Sequence, residues 1–349
     1  KWRNLASKHA GFTVVIVGLA DRGNAKKTIF SEDDNGRVSA KTVNHINAYL
    51  IDGPDVLVKK STRPISALSV MKFGNKPVDG GHLLLTRHEL AEIGLSQDDE
   101  SRFTKRILGA AELVAGVERH CLWIGDENLA SALQYPGVRQ RIELVRASRL
   151  ASSDAGANEM ADRPHQFREM NIGSQSTIVI PAVSSEDREY LPIHLISNDT
   201  VISNRCYGIF DGPLFQFSIL ASRIHLVWIA TVCGRLELRF SYTSTLGWNT
   251  FPLPTLTEKN KSDLTRCAED ILLAREACFP ASLAELYDPE KMPPSLREAH
   301  ERNDEVLERI YIGRRFRNDT ERLEKLFELY TKMTLAAEPK KKRQVGAKK

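Results

Sequence analysis

Between Arg235 and Thr243 the sequence runs R-L-E-L-R-F-S-Y-T, alternating apolar and polar without a break. An extended chain points successive side chains to opposite faces. Leu236, Leu238, Phe240 and Tyr242 are therefore predicted to face a core, and Arg235, Glu237, Arg239, Ser241 and Thr243 to face outward. The outward row presents a cation, an anion, a cation and two hydroxyls at intervals of about 6.6–7 Å. Arginine can grip guanine O6 and N7 with two hydrogen bonds, and glutamate can accept from cytosine N4. Neighbouring Glu237 and Arg239 could thus read one C·G pair. The same pattern also fits a solvated strand face with cross-strand ion pairs.

Other candidates are shorter. Ser203-Asn204-Arg205 ends an apolar run ahead of Cys206-Tyr207-Gly208; Asn suits adenine and Arg suits guanine, while turn chemistry accounts for Asn204 equally well. Lys59, Lys60, Arg63, Lys72 and Lys76 form a basic run suited to phosphates, or simply an exposed basic loop. Arg314, Arg315 and Arg317 follow Gly313, where they can touch phosphate or offset the dipole of a preceding helix.

The elements that must hold these groups follow from periodicity. Phe12–Leu19 (F-T-V-V-I-V-G-L) is an unbroken apolar run, as in a strand buried on both faces. The polar stretch 31–36 separates it from a second strand-like run, Val43–Ile51. Residues 100–150 are predicted helical, with Ile107, Ala111, Val114 and Val117 on one stripe and Val138, Ile142 and Val145 on another, separated by Pro136-Gly137. Residues 151–176 read as a loop, Thr177–Val183 as a strand, and Val201–Phe210 as one or two short strands. Leu214–Cys233 is long enough to raise a membrane span, but Gln216, Arg223 and His225 would be heavily penalised in a bilayer, so a buried helix is predicted. The C-terminal third is helical. Thr255-x-x-Glu258 and Ser295-x-x-Glu298 have capping-box form, and a last helix begins near Asn318.

Composition narrows the function. The 349 residues carry a formal charge of +4, but 335–349 hold six basic residues and one Glu, a net of +5 that leaves −1 for residues 1–334. The tail reads as a solvated, disordered end. Five cysteines, with no C-x-x-C, point to a reducing compartment and away from a disulfide framework or structural zinc. No G-x-G-x-x-G follows a strand, and Walker, H-E-x-x-H and nucleophile-elbow patterns are missing. The double proline Met292-Pro293-Pro294-Ser295 lacks the preceding Asp or Asn and the following aromatic residue with which amino-methyltransferases hold an exocyclic amine. The sequence carries no catalytic constellation of its own.

Longer strings then carry a resemblance. I-S-N-R-C-Y-G-I-F-D-G-P-L-F from Ile202, R-L-E-L-R-F-S-Y-T-S-T-L-G-W-N-T-F-P-L-P from Arg235, F-G-N-K-P-V-D-G-G-H-L-L-L at 73–85, P-H-x-F-R at 164–168, V-S-S-E at 183–186 and L-Y-D-P at 286–289 are together similar to the MmeI-like family. These are large bacterial S-adenosylmethionine-dependent DNA methyltransferases, many fused to a nuclease in a single-chain restriction–modification enzyme. The resemblance runs to about Met333.

It implies an α/β (α+β) chain in four parts. Residues 1–70 would be the end of a Rossmann-like methyltransferase sheet, 71–254 a mixed α/β target-recognition domain, 255–334 a C-terminal helical domain, and 335–349 a basic tail. The family's methyl-donor pocket and Asn-Pro-Pro-aromatic motif would lie upstream of Lys1, so no catalytic, cofactor-binding or metal-binding residue is expected here. By motif, the base-reading positions fall on Asn204, Arg205, Glu237, Arg239 and Ser241; Arg235 joins the five basic residues of 59–76 as a backbone contact. Ser241 replaces a longer basic residue of some relatives, and Pro181-Ala182-Val183 departs from Pro-Arg-Val. The expected function is the target-recognition part of an adenine-N6 DNA methyltransferase in the bacterial cytoplasm, acting on double-stranded DNA. S-adenosylmethionine would be held by the upstream part of the same polypeptide. A non-catalytic DNA-binding module, or a gene remnant, is the alternative; a helical interaction protein using 295–333 is a third.

Overall fold

The computed structural model describes residues 2–3, 13–14, 16–19, 26–32 and 37–337. The chain is a mixed α/β structure in which short sheets are followed by long helices. None of the five cysteines is paired in a disulfide. Among the described residues no helix is long and apolar enough to cross a membrane.

The N-terminal region departs from the sequence reading. Thr13–Val14 pairs antiparallel with Trp2–Arg3, but Ile16 to Leu19 form no strand, and Ile16 and Leu19 are 76% and 93% exposed. Phe12 and Val15 lie outside the described residues. An apolar run becomes a buried strand only where neighbouring strands and faces cover it, and among the described residues Ile16–Leu19 have no such cover. The next strands, Lys27–Glu32 and Val38–Val43, form a hairpin in register from Lys27 against Val43 to Glu32 against Val38. The predicted strand at 43–51 therefore ends where it was meant to start. The Asn47 side chain accepts hydrogen bonds from the backbone amides of Tyr49 (2.9 Å) and Ile51 (3.4 Å), and Leu50 adopts φ 61°; this local bonding turns the chain.

Two four-stranded sheets build the centre. One runs Thr200–Ile202, Thr104–Leu108, His120–Leu122, Leu84–Leu85, with its first pair parallel; the other runs His194–Ser197, Ser176–Pro181, Cys206–Phe210, Lys72–Phe73, all antiparallel. Thr104–Leu108 and His120–Leu122 correct the all-helical reading of 100–150. Ile107 and Ala111 share helical spacing only because Gly109 joins a strand to the short helix Ala110–Ala115. The later stripe holds: Val138, Ile142 and Val145 are buried on the helix Pro136–Leu150, whose first position is the proline.

The long apolar stretch is two helices, Phe215–Leu220 and Arg223–Val232. Ser222 breaks it, since its hydroxyl accepts from the His225 amide and donates to the Ile219 carbonyl. The helix Glu258–Glu276 is capped by Thr257 with Asn260, two residues beyond the predicted box, and Pro294–Ile312 starts on its proline without a side-chain cap. The last helix, Asp319–Ala337, starts one residue after Asn318 and takes in the first three residues of the predicted tail; 338–349 lie outside the described residues. Trp228, Phe251, Leu264, Leu296, Leu307 and Phe327, all fully buried, join the second sheet to these helices in one core. Each such side chain contributes about 1.5–3 kcal/mol by leaving water.

Two buried polar centres fix this packing. Arg149, 1% exposed on the inner face of its helix, spends all five N–H donors on backbone carbonyls: Val78 (2.7 Å), Pro77 (3.0 Å), Met160 (2.8 Å), Arg163 (2.8 Å) and Gln166 (2.7 Å). Burial, with Arg163 nearby, lowers its pKa to about 10, so it stays charged at neutral pH. The second centre is Asp304, which accepts from Tyr190 Oη (2.9 Å) and the Arg223 amide (2.7 Å). One turn on, Glu308 is held by Arg322 (2.6 Å) and the Phe316 amide (2.8 Å). Burial, reinforced by Glu308, pushes the Asp304 carboxyl up to about 7.

Arg149→Met withdraws five hydrogen bonds, leaving the Pro77, Val78 and Gln166 carbonyls without the donor they have here while Met160 and Arg163 keep a backbone amide. It should cost at least about 3 kcal/mol in denaturant unfolding, with Arg149→Lys recovering only part; a loss under about 1 kcal/mol would contradict the role given to the guanidinium. Because Asp304 binds its proton more tightly folded (about 7) than unfolded (3.8), its stabilising effect is complete below about pH 4 and is lost as pH rises through 7. The thermal midpoint should therefore fall between pH 5 and 8 relative to Asp304→Asn, whose carboxamide does not titrate; parallel pH profiles would refute this.

Candidate functional site

Three sheets meet at one point. Ile202 ends a strand of the first sheet and Cys206 begins a strand of the second, so Ser203–Arg205 is the turn joining them. The strand Ser176–Pro181 passes through Ala182 into Val183–Ser184, which belongs to a third sheet ordered Val183–Ser184, Arg239–Ser241, Gly234–Leu236. The two crossings are bonded to each other. The Ala182 amide donates to the Arg205 carbonyl (2.9 Å), and the Tyr242 amide donates to the Ala182 carbonyl (2.8 Å). Asn204 and Arg205 on one side, and Ser241 on the other, are thereby held within a few residues of Ala182.

The turn is clamped from beneath. Asn75, fully buried, takes a hydrogen bond from the Asn204 amide on its carbonyl (3.0 Å) and donates its own amide and its carboxamide to the Ile202 carbonyl (2.8 and 3.0 Å). Its carboxamide also bonds both ways to Asn171, donating to the carbonyl (2.9 Å) and accepting from the amide (2.8 Å). Gly74 passes so close that a Cβ there would lie 2.1 Å from the Ser203 carbonyl oxygen, so no larger residue fits without moving backbone. The Arg168 amide bonds the Lys76 carbonyl (2.9 Å), which continues the clamp to the segment that Arg149 pins. Gly74 and Asn75 stand in the F-G-N-K-P string, which carries the family resemblance. Their signal was a glycine beside a polar residue at a strand end.

The row at 235–243 is not one strand. Gly234–Leu236 and Arg239–Ser241 form a hairpin with Gly234 opposite Ser241, Arg235 opposite Phe240 and Leu236 opposite Arg239. Its two-residue turn starts at Glu237 with φ 59°, the positive angle that hairpin turns require at this place. Reversal there divides the expected face. Arg239 and Ser241 share one side with Leu236, which is 50% exposed; Arg235 shares the other with Phe240, its guanidinium 4.8 Å over the ring. Arg235 also donates to the Leu238 carbonyl (2.7 Å), and Arg239 pairs with Glu237 across the turn (2.9 Å). Phe240 and Tyr242 are buried as predicted, and Tyr242 Oη lies 3.2 Å from Nε2 of His225. Burial lowers the pKa of His225 to about 3, so this ring is neutral and ties the hairpin to the helix Arg223–Val232.

The basic run divides in two. Lys59, Lys60 and Arg63 lie on an irregular segment bonded to the region after the hairpin, with the Ser61 amide donating to Thr245 (2.9 Å) and the Ile65 amide to Asn249 (2.8 Å). Lys72 and Lys76 flank Gly74-Asn75. All five side chains are exposed and form no ion pair among the described residues; Arg205 is likewise exposed, whereas Arg235 and Arg239 have the internal partners named above. Arg314, by contrast, is committed to Glu321 (2.6 Å). Beside the turn opens a cleft of about 440 Å³ lined by Asn204, Arg205, Glu112 and Arg119. Among the described residues no three His, Cys, Asp or Glu side chains cluster as a metal site.

Comparisons with known proteins agree with this architecture. Residues 52–255 match the family model for the MmeI target recognition domain, and residues 256–337 match that for the MmeI C-terminal domain. DNA methyltransferase A of Bacillus subtilis (strain 168) is 37% identical over 335 residues, 96% of this chain and 37% of the relative. A solved structure of the type IIL restriction-modification enzyme MmeI in complex with DNA superposes with a TM-score of 0.80 at 34% identity, over 90% of this chain and 42% of that one. The chain thus spans about two fifths of the length of these relatives, and it belongs to the MmeI family, matching its target recognition and C-terminal domains.

Proposed function

We propose that this chain is the target-recognition part of a site-specific DNA methyltransferase that modifies adenine at N6, and that it binds duplex DNA and reads the bases beside the modified one. The observation that carries this reading is the meeting of three sheets at Ala182, which presents Asn204, Arg205, Arg239 and Ser241 from rigid backbone; the similarity to an enzyme solved with DNA supports it. Arg205 is free to grip a guanine edge, and Asn204 suits adenine. Glu237 and Arg239 are already paired, so they can present an acceptor and a donor together to one C·G pair. Lys59, Lys60, Arg63, Lys72 and Lys76 would take phosphates, which set register but carry no sequence information.

Residues 1–70 would complete the methyltransferase sheet of the upstream part, residues 71–254 would read the DNA and residues 255–334 would support them; the recognition-domain match begins at residue 52, inside the first of these parts, and meets the C-terminal match at 255/256. Methylation would use S-adenosylmethionine bound upstream in the same polypeptide. The sequence here holds no glycine-rich turn after a strand and no Asn-Pro-Pro-aromatic motif, so its residues do not fit that cofactor and none is assigned to it. The target adenine would be turned out of the helix toward the upstream pocket, in a cytoplasmic enzyme.

Selection from randomised duplexes tests the reading. Arg205→Ala and Arg239→Ala should each lower discrimination by about 1–3 kcal/mol at one base position, while Lys60→Ala should weaken all sequences alike and reduce the salt slope by about 1. Unchanged site preference in both arginine variants would refute the assignment.

A further inference from the structure

Phe73 sits on the two-residue edge strand Lys72–Phe73 and is 43% exposed. Its ring lies 4.9 Å from that of Tyr207, the residue directly opposite, and Tyr207 in turn meets Tyr242 at 5.7 Å. Tyr242 continues inward to His225 at 5.9 Å, which touches Phe251 at 4.8 Å. An aromatic ladder therefore runs from the buried core to the sheet edge and ends in an open ring, fixed by its neighbour rather than free to fold away.

The surroundings decide what this ring suits. Lys72 precedes it, Lys76 follows three residues on, and Arg205 lies across the Gly74–Ser203 contact; all three are exposed and none has an ion-pair partner among the described residues. Lys72 points to the other face of the strand, but an apolar protein surface laid over Phe73 and the turn beside it would have to desolvate Lys76 and Arg205. Duplex DNA supplies both complements, since its phosphates neutralise cations and an apolar ring can wedge into a base step, partly unstacking it to lie on a base face. We propose that Phe73 stacks on a base of the bound DNA, with the neighbouring cations on the phosphates around it. This makes Phe73 an anchor for the reading turn Ser203–Arg205, and it rests on the DNA-binding role proposed above.

The test is the affinity of the 349-residue chain for duplex DNA, titrated across salt concentrations. Phe73→Ala should weaken binding by about 5- to 150-fold with no change in the slope of log affinity against log salt, because a phenyl ring displaces no counterion. Phe73→Trp should keep the affinity, and Lys76→Ala should instead make the slope shallower by about 1. Matching near-ultraviolet circular dichroism of the variants checks that the fold is intact. Wild-type binding with Phe73→Ala equally tight, or weakened with a shallower slope, overturns the stacking role alone. A wild-type chain that binds no duplex even at low salt overturns the DNA-binding role and this inference together.

Discussion

Burying a guanidinium without a carboxylate partner is tolerable only if each of its five N–H groups finds an acceptor. Arg149 meets that condition with five backbone carbonyls drawn from 77–78 and 160–166. The loop at 77–78 and the segment that runs on from the 3-10 turn Glu159–Asp162 are thereby fixed to one helix. Everything nearer the candidate site follows from that anchorage: 77–78 places Gly74 and Asn75, these hold the turn Ser203–Arg205, and the Arg205 carbonyl receives the strand crossing at Ala182.

The proposed reading surface would benefit from such a chain of constraints. Discrimination between bases requires side chains held to within about half an ångström of a productive geometry, which loops seldom provide. Here the polar groups project from crossings between sheets whose backbone amides are bonded, so Asn204, Arg205 and Ser241 can change identity without changing the scaffold. The helical region plays a complementary part. His225, neutral and buried, ties Tyr242 to the helix Arg223–Val232, and the Asp304 and Glu308 network ties that helix to the last two.

Much of this was legible where one interaction dominates a segment. The strands at 176–181, 200–202 and 206–210 are apolar because most of their side chains are buried, and the stripe at 138–145 marks a helix with one buried side. Failures came where one pattern serves two structures. Alternation at 235–243 is the same for one strand as for a hairpin with a two-residue turn, and Glu237 carries its positive φ without the Gly or Asn that would signal it. The strand Thr104–Leu108 was hidden by helical spacing that runs across Gly109. Arg149 was invisible as an anchor, because a charged residue in a helix reads as surface until its acceptors, far along the chain, are brought to it. The candidate residues were found partly by chemistry and partly by resemblance; that Asn204, Arg205 and Ser241 converge on Ala182 could come only from the register of three sheets.

Amide hydrogen exchange on the chain with and without duplex DNA measures the central claim most directly. If the meeting point of the three sheets is the reading surface, DNA should slow exchange at 72–76, 182–184, 203–206 and 239–242, and leave the helices at 294–337 unchanged. Protection confined to those helices, with the sheet junction unaffected in the bound state, would contradict it.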